Sequence, residues 1–162
     1  MIIIDPTSKV SPLADIEDSS RGTKIVIGAG SVIDSFVKIK PAGGNGDLII
    51  GNNATINSGT VLYTGNGILI GNHVAIAANC TFAPVNHEFV SKDTLITKQG
   101  FKPSRGGIVV GDDVWIGANC VILDGSILNS GCVIGAGSIV CGVIDAYSIN
   151  YGNPLKIVGW RK

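Results

Sequence analysis

Aliphatic side chains recur at every sixth position through most of this chain, a spacing foreign to the 3.6-residue turn of an α-helix. Stepping by six from Val110 gives Ile116, Ile122, Leu128, Ile134 and Val140. Upstream the same step runs through Ile27, Ile33 and Ile39, then Ile50, Ile56 and Leu62, then Ile70, Ile76 and Phe82. Four residues after these anchors the side chains are mostly small or β-branched, as at Ser31, Ala54, Thr60, Val74, Cys80, Cys120, Cys132 and Ser138. Glycine often follows the anchor directly, as at Gly28, Gly51, Gly71, Gly111, Gly117 and Gly135. A six-residue unit holds the strand period three times over, so each unit predicts a short extended side followed by a tight turn. Three units close a triangular coil of eighteen residues, as from Val110 to Leu128 and from Leu128 to Ala146. Stacked coils then pair as parallel strands about 4.8 Å apart, each burying its neighbour's anchors. The expectation is an all-β parallel β-helix, a triangular prism in one domain spanning residues 1–162.

The rhythm is interrupted twice. Residues 63–67 stretch one coil by two positions. Residues 88–107 carry Glu88, Lys92, Asp93, Lys98, Lys102, Arg105 and Pro103, and cannot continue the prism. Structureless segments of that length inside a compact domain are uncommon and often functional, so an extruded active-site loop is expected there. Residues 1–21 read as an irregular cap over one open end. Residues 152–162 break the anchor pattern and read as a second cap, since a bare strand edge invites aggregation.

Composition narrows the picture. With 23 glycines and only 15% charged residues, the chain suits a fold of many turns and a narrow aliphatic core. Acidic and basic residues balance at 12 each, so no global field draws nucleic acid or an anionic membrane. The opening Met-Ile-Ile-Ile meets Asp5 and Pro6 at once, too short for a signal peptide or a membrane span. The four cysteines form no CxxC pattern, and a cytoplasmic protein is expected. Only two histidines occur, His73 in the ordinary turn GNHVA and His87 where the repeat stops.

The anchors together with GDDVWIGANCVIL, CVIGAGSIV and YGNPLKIV resemble the hexapeptide-repeat acyltransferases. The ordered set NHEF, a charged loop ending in QG, VWIGAN, VIGAGSIV and GNP is similar to the galactoside and maltose O-acetyltransferase branch. That branch includes the sugar O-acetyltransferases of surface-polysaccharide synthesis. The resemblance implies a left-handed β-helix, a homotrimer with active sites between neighbouring prisms, and acetyl-CoA as co-substrate. It places the catalytic histidine at His87 and a contact to the acceptor sugar at Asn57, with Asn86 and Glu88 flanking the histidine in the acceptor site. Trp115, Gly117, Ala118, Ala136 and Cys141 fall on or beside positions lining the acetyl-CoA arm, and Lys156 belongs to a basic end that could meet CoA phosphates. The chain departs from the family pattern at Cys141-Gly142-Val143, where many members have Thr-Lys-Asp, and at Asp145-Ala146, where a Pro-Pro pair is usual.

The chemistry these residues suggest is acetyl transfer from a thioester to a hydroxyl, without a metal. A sugar hydroxyl is a feeble nucleophile, and a histidine, ordinarily titrating near about 6.5, can take its proton as it attacks. Glu88 or a backbone carbonyl would hold the second ring nitrogen, and the Gly117-Ala118 turn would offer backbone N–H groups to the oxyanion. N-acetylation of a nucleotide-linked amino sugar is the alternative within the same class. A non-catalytic hexapeptide module leaves the loop and its histidine unexplained. A carbonic-anhydrase-like zinc site needs three protein ligands, more than His73 and His87 supply.

Overall fold

Twenty-one short strands wind into three parallel sheets, the faces of a triangular prism, in the computed structural model of residues Met1–Lys162. Face A stacks Ile2–Ile4, Ile25–Ile27, Leu48–Ile50, Ile68–Ile70, Ile108–Val110, Ile127–Leu128 and Val143–Ile144. Face B runs from Lys9–Val10 to Ser148–Tyr151, and face C from Asp15–Ile16 to Ile139–Val140. Every rung is parallel except the last on face B, where Lys156–Trp160 folds back antiparallel along Ser148–Tyr151 and caps the prism.

The six-residue rule is the core itself. The fifteen anchors from Ile27 to Val140 are all buried, and so are the small residues of the second slot, including Ser31, Ala54, Thr60, Cys80, Cys120 and Ser138. On face A the slot widens to take Ile25, Leu48, Ile68 and Ile108, stacked in register one above another.

The turns between faces are held by ladders of their own. Along the A–B edge, Asn52 Oδ1 accepts from Ala29 N, Asn72 Oδ1 from Asn52 N, and Asp112 Oδ1 from Asn72 N, at 2.6–2.9 Å. Along the B–C edge the bonds are backbone to backbone: Asn79 N to Ser58 O, Asn119 N to Ala78 O and Gly137 N to Ala118 O. Each such corner needs one residue with positive φ, supplied by Asn53, His73 and Asp113 on the first edge and Gly59, Asn79, Asn119 and Gly137 on the second.

Three expectations are corrected. Residues 1–21 are not irregular, because Ile2–Ile4, Lys9–Val10 and Asp15–Ile16 pair with the strands above them as a first coil. The last coil is two residues short, since Leu128 pairs with Ile144 and not Ala146; the chain turns through Cys141-Gly142 alone. Finally, the insertions share one edge. Residues 17–24, 41–47, 64–67 and 84–107 all bridge face C to face A, and the sequence reading singled out only the last two, although the jump from Ile39 to Ile50 also marks 41–47.

Candidate active site

The C–A edge builds a shelf from these stacked insertions. Gly65 N donates to Ala42 O at 3.0 Å, Gly46 N to Gly65 O at 2.8 Å, and Asn66 Nδ2 to Pro84 O at 2.8 Å. Val85 seats on Gly43, where a β-carbon would come within 2.7 Å of its Cγ2, so only glycine lets the long loop settle here.

Beyond Val85 the loop leaves and returns as a two-stranded stub. Lys102 N donates to Asn86 O at 2.8 Å and Glu88 N to Gly100 O at 3.0 Å, which sets His87 directly opposite Phe101. Their rings meet at a centroid distance of 4.8 Å, tilted by 37°. Ala42, Gly43, Tyr63, Ala83, Val85, His87 and Phe101 line an open cavity of about 350 Å³. The histidine is therefore exposed, aimed by an aromatic contact, and set in the wall of a hollow with mostly apolar sides.

Glu88 does not orient it. Its Oε1 accepts from Phe89 N at 2.8 Å and Val90 N at 3.1 Å, and these backbone bonds hold the carboxyl below the usual carboxylate range. The side chain thus closes a turn of its own loop, and Glu88 is corrected from a partner of His87 to a loop brace. Neither ring nitrogen of His87 has a hydrogen-bond partner within the chain, so packing sets its direction.

The returning end of the loop is pinned by an ion pair that sequence reasoning missed. Arg105 Nε and Nη2 grip Asp124 at 2.9 and 2.7 Å, and Nη1 lies 3.3 Å from Cys141 Sγ. Asp124 is buried, and the guanidinium holds its carboxyl below the usual range. The available signal was an acidic residue flush against a buried run, in VILDG, one coil above a loop arginine.

The remaining expected residues lie elsewhere. Asn57, Gly117, Ala118 and Ala136 follow one another up the B–C edge, with Trp115 half exposed on the adjoining outer side of face B. Lys156 pairs with Tyr151 at the top of that edge, and the Tyr151 ring lies over Gly135, leaving no space for a β-carbon. Below Tyr151 this edge is a bare strip of Ala77, Ala78, Ala118 and Ala136, with Gly117 and Gly135 buried between them. Gly117 N is committed to Ile134 O at 2.7 Å, so the pair expected to supply oxyanion donors reduces to Ala118, whose N–H has no partner. Asn57 Nδ2 donates to Ile76 O at 2.7 Å, leaving Oδ1 free.

Within one chain, then, Asn57 and His87 stand on opposite edges of face C and do not meet. Cys141 is also corrected: it belongs to the C–A edge beside Arg105, not to the alanine strip. His73 sits exposed on the A–B edge. Cys80, Cys120 and Cys132 are buried; the thiols of Cys80 and Cys120 donate to Gly117 O and Gly135 O, and burial pushes Cys132 up to about 11.

A prism of stacked six-residue turns with one extruded loop defines the left-handed parallel β-helix of the hexapeptide transferases. Residues 107–142 match the family described as bacterial transferase hexapeptide (six repeats), and the chain belongs to the hexapeptide-repeat transferase family. A candidate acetyltransferase of Mycobacterium tuberculosis is 33% identical over 72% of this chain, which spans only 38% of that relative's length. Escherichia coli WbbJ, a candidate O-acetyl transferase of lipopolysaccharide biosynthesis by its name, is 26% identical over 85% of this chain and 69% of its own. Among solved structures, the N-acyltransferase AntD of Bacillus cereus, crystallised with dTDP and coenzyme A, superposes with a TM-score of 0.83 at 23% identity. That match covers 99% of this chain and 84% of AntD. No helix is long and apolar enough to cross a membrane.

Proposed function

We propose that this protein transfers an acetyl group from acetyl-CoA to a hydroxyl of a sugar or saccharide-linked acceptor, with His87 as general base, in a cleft between two copies of the chain. The observation that carries the reading is the exposed ring of His87 in the wall of the 350 Å³ hollow, at the root of the one long loop.

The outer faces support a trimer. Face A presents an aliphatic ladder to solvent: Ile3, Val26, Ile49, Leu69, Val109, Ile127 and Val143 pair rung by rung, and all but Val26 are exposed. Burying such a stripe is favourable at about 25 cal/mol per Å². If the A–B edge points to a threefold axis, face A of one prism meets face B of the next. The outer C–A edge of the first then lies against the B–C edge of the second. That closure brings His87 of one copy towards Asn57 and the alanine strip of another, joining the two half-sites that a single chain keeps apart.

The bare strip fits an extended pantetheine arm, with Trp115 beside it and Lys156 at its upper end. Bound there, the thioester supplies the acyl group. As the hydroxyl oxygen forms its bond to the acyl carbon, its proton passes to a ring nitrogen of His87. The Ala118 N–H is placed to receive the developing oxyanion. When the carbon–sulfur bond breaks, the imidazolium returns the proton to the departing thiolate, so no acyl-enzyme is needed.

The test is thiol release from acetyl-CoA with a panel of neutral sugars and nucleotide-linked amino sugars. His87→Ala is expected to lower kcat/KM by about 10²–10⁴-fold with an unchanged melting temperature. An unaltered rate removes the mechanism, and an acceptor set limited to amines moves the protein to N-acetylation.

A further inference from the structure

One corner of the prism breaks the rule that governs its neighbours. Along the B–C edge the positive-φ position is Gly59, Asn79, Asn119 and Gly137 in successive coils, but below them it is Phe36, at φ 63°. Asparagine tolerates this conformation by local hydrogen bonding and glycine by lacking a β-carbon; phenylalanine has neither excuse. The other aromatic so placed, Tyr147, is accounted for by packing: its ring lies on Gly131 beneath the Arg161 guanidinium. Phe36 has no such partner and is 67% exposed, above an exposed Leu13 whose carbonyl accepts from Phe36 N. A strained, solvent-facing aromatic on a rigid corner is held for a contact outside the chain.

Its surroundings name the contact. Asp34 precedes it on the same corner, with Oδ1 accepting from Ser35 N at 2.7 Å and Oδ2 without a partner. Asn57, with its free Oδ1, stands one coil above Asp34. A flat aromatic face with carboxylate and amide oxygens at its rim suits a pyranose ring, whose C–H face packs on π density while its hydroxyls donate. The outer side of face C nearby carries Asp15 and Glu17, which already engage Lys38 at 2.6 and 3.1 Å. Lys9 stands without an ion pair on the adjoining strand of face B, but the carboxylate of Asp34 at the corner itself disfavours a pyrophosphate. We infer that Phe36, with Asp34, forms a subsite for a second, neutral sugar ring, so that the acceptor is a disaccharide or longer saccharide and not a nucleotide-linked monosaccharide.

The inference rests on the inter-chain cleft proposed above. A threefold rotation parallel to the prism preserves height, so Phe36 of one copy lies two coils, about 10 Å, below the level at which His87 of its neighbour leaves the prism. That drop leaves room for the ring that carries the reacting hydroxyl between the base and a second ring seated on Phe36.

Phe36→Asn installs the residue the fold itself uses at Asn79 and Asn119. It is expected to melt at the wild-type temperature or above, and to remain the same oligomer in sedimentation. Against it, the ratio of kcat/KM for a neutral disaccharide over its parent monosaccharide falls about tenfold. Saturation-transfer NMR with a panel of glucose-, galactose- and N-acetylglucosamine-containing disaccharides, which needs no turnover, is expected to show transfer with the wild type and its loss in the variant. Equal saturation transfer in both proteins overturns the subsite, and so does dissociation of the variant, which would make Phe36 an intersubunit contact. A wild type that binds disaccharides through Phe36 yet acetylates nothing refutes the transferase reading alone.

Discussion

The prism's three edges start from the same turn and end very differently. The A–B and B–C edges spend four residues on nearly every crossing, from 28–31 to 129–132 on one and from 34–37 to 135–138 on the other. The C–A edge spends two at 141–142, four at 64–67, eight at 17–24 and twenty-four at 84–107. A constant edge stacks like on like and can be laddered. The variable edge has no ladder to keep, so it can extrude a loop. Precision and invention are thus assigned to different corners: the regular B–C edge offers a straight strip, and the irregular C–A edge extrudes the loop that carries His87.

Insertion breaks this contrast most sharply. Adding Gly-Ser between Ala78 and Asn79 interrupts the bonds Asn79 N to Ser58 O and Asn119 N to Ala78 O and pulls Cys80 from its buried slot. With two hydrogen bonds and one packed side chain disturbed, the expected loss is about 3 kcal/mol or more in urea denaturation. The same insertion between Asp93 and Thr94, at the exposed end of the loop, lengthens an existing closure and is expected to cost less than about 0.5 kcal/mol. Equal losses at the two sites would erase the distinction between the edges.

The loop is still anchored at its return, and Arg105→Ala tests how firmly. Removing the guanidinium leaves Asp124 buried without its partner, at a cost of about 1–2 kcal/mol at neutral pH, reduced because Arg105 itself is half exposed. Since the folded pKa of Asp124 is depressed, the pair's contribution is present above the unfolded carboxylate value of about 3.9. It is lost as the pH falls through the lower folded value. Melts of the two proteins should therefore differ at pH 7 and converge below about pH 4. A gap that persists in acid would mean that packing, not charge, holds the loop.

How much of this was legible in the sequence divides along the same line. The anchors, the slot residues and the cap were readable because each obeys a period imposed by stacking. The place of His87 at the root of the loop was readable because it stands where that period fails. Arg105 with Asp124 was not, because the two meet only when a loop of variable course returns to one coil in particular. The brace formed by Glu88 was misread for a related reason: adjacency along the chain suggested a partner for His87, whereas the nearest unpaired donors were the backbone N–H groups of Phe89 and Val90. The short last coil was missed because Cys141-Gly142 removes two residues without disturbing the anchors before it.

The smallest expected effect concerns how a variable edge aims anything at all. His87 is directed by Phe101, and the flanking bonds are backbone to backbone, from Lys102 N to Asn86 O and Glu88 N to Gly100 O. Phe101→Ala should leave that stub intact while freeing the imidazole to rotate. Aromatic pairs contribute about 0.5–1.5 kcal/mol beyond burial, so on the proposed mechanism kcat should fall about two- to tenfold, with the KM for acetyl-CoA unchanged because the strip proposed to hold it lies on the other edge. Phe101→Leu separates the remaining causes. Recovery of kcat by leucine would show that filling the cavity wall is enough, whereas a deficit shared by both variants would show that the ring-on-ring contact sets the angle of the base.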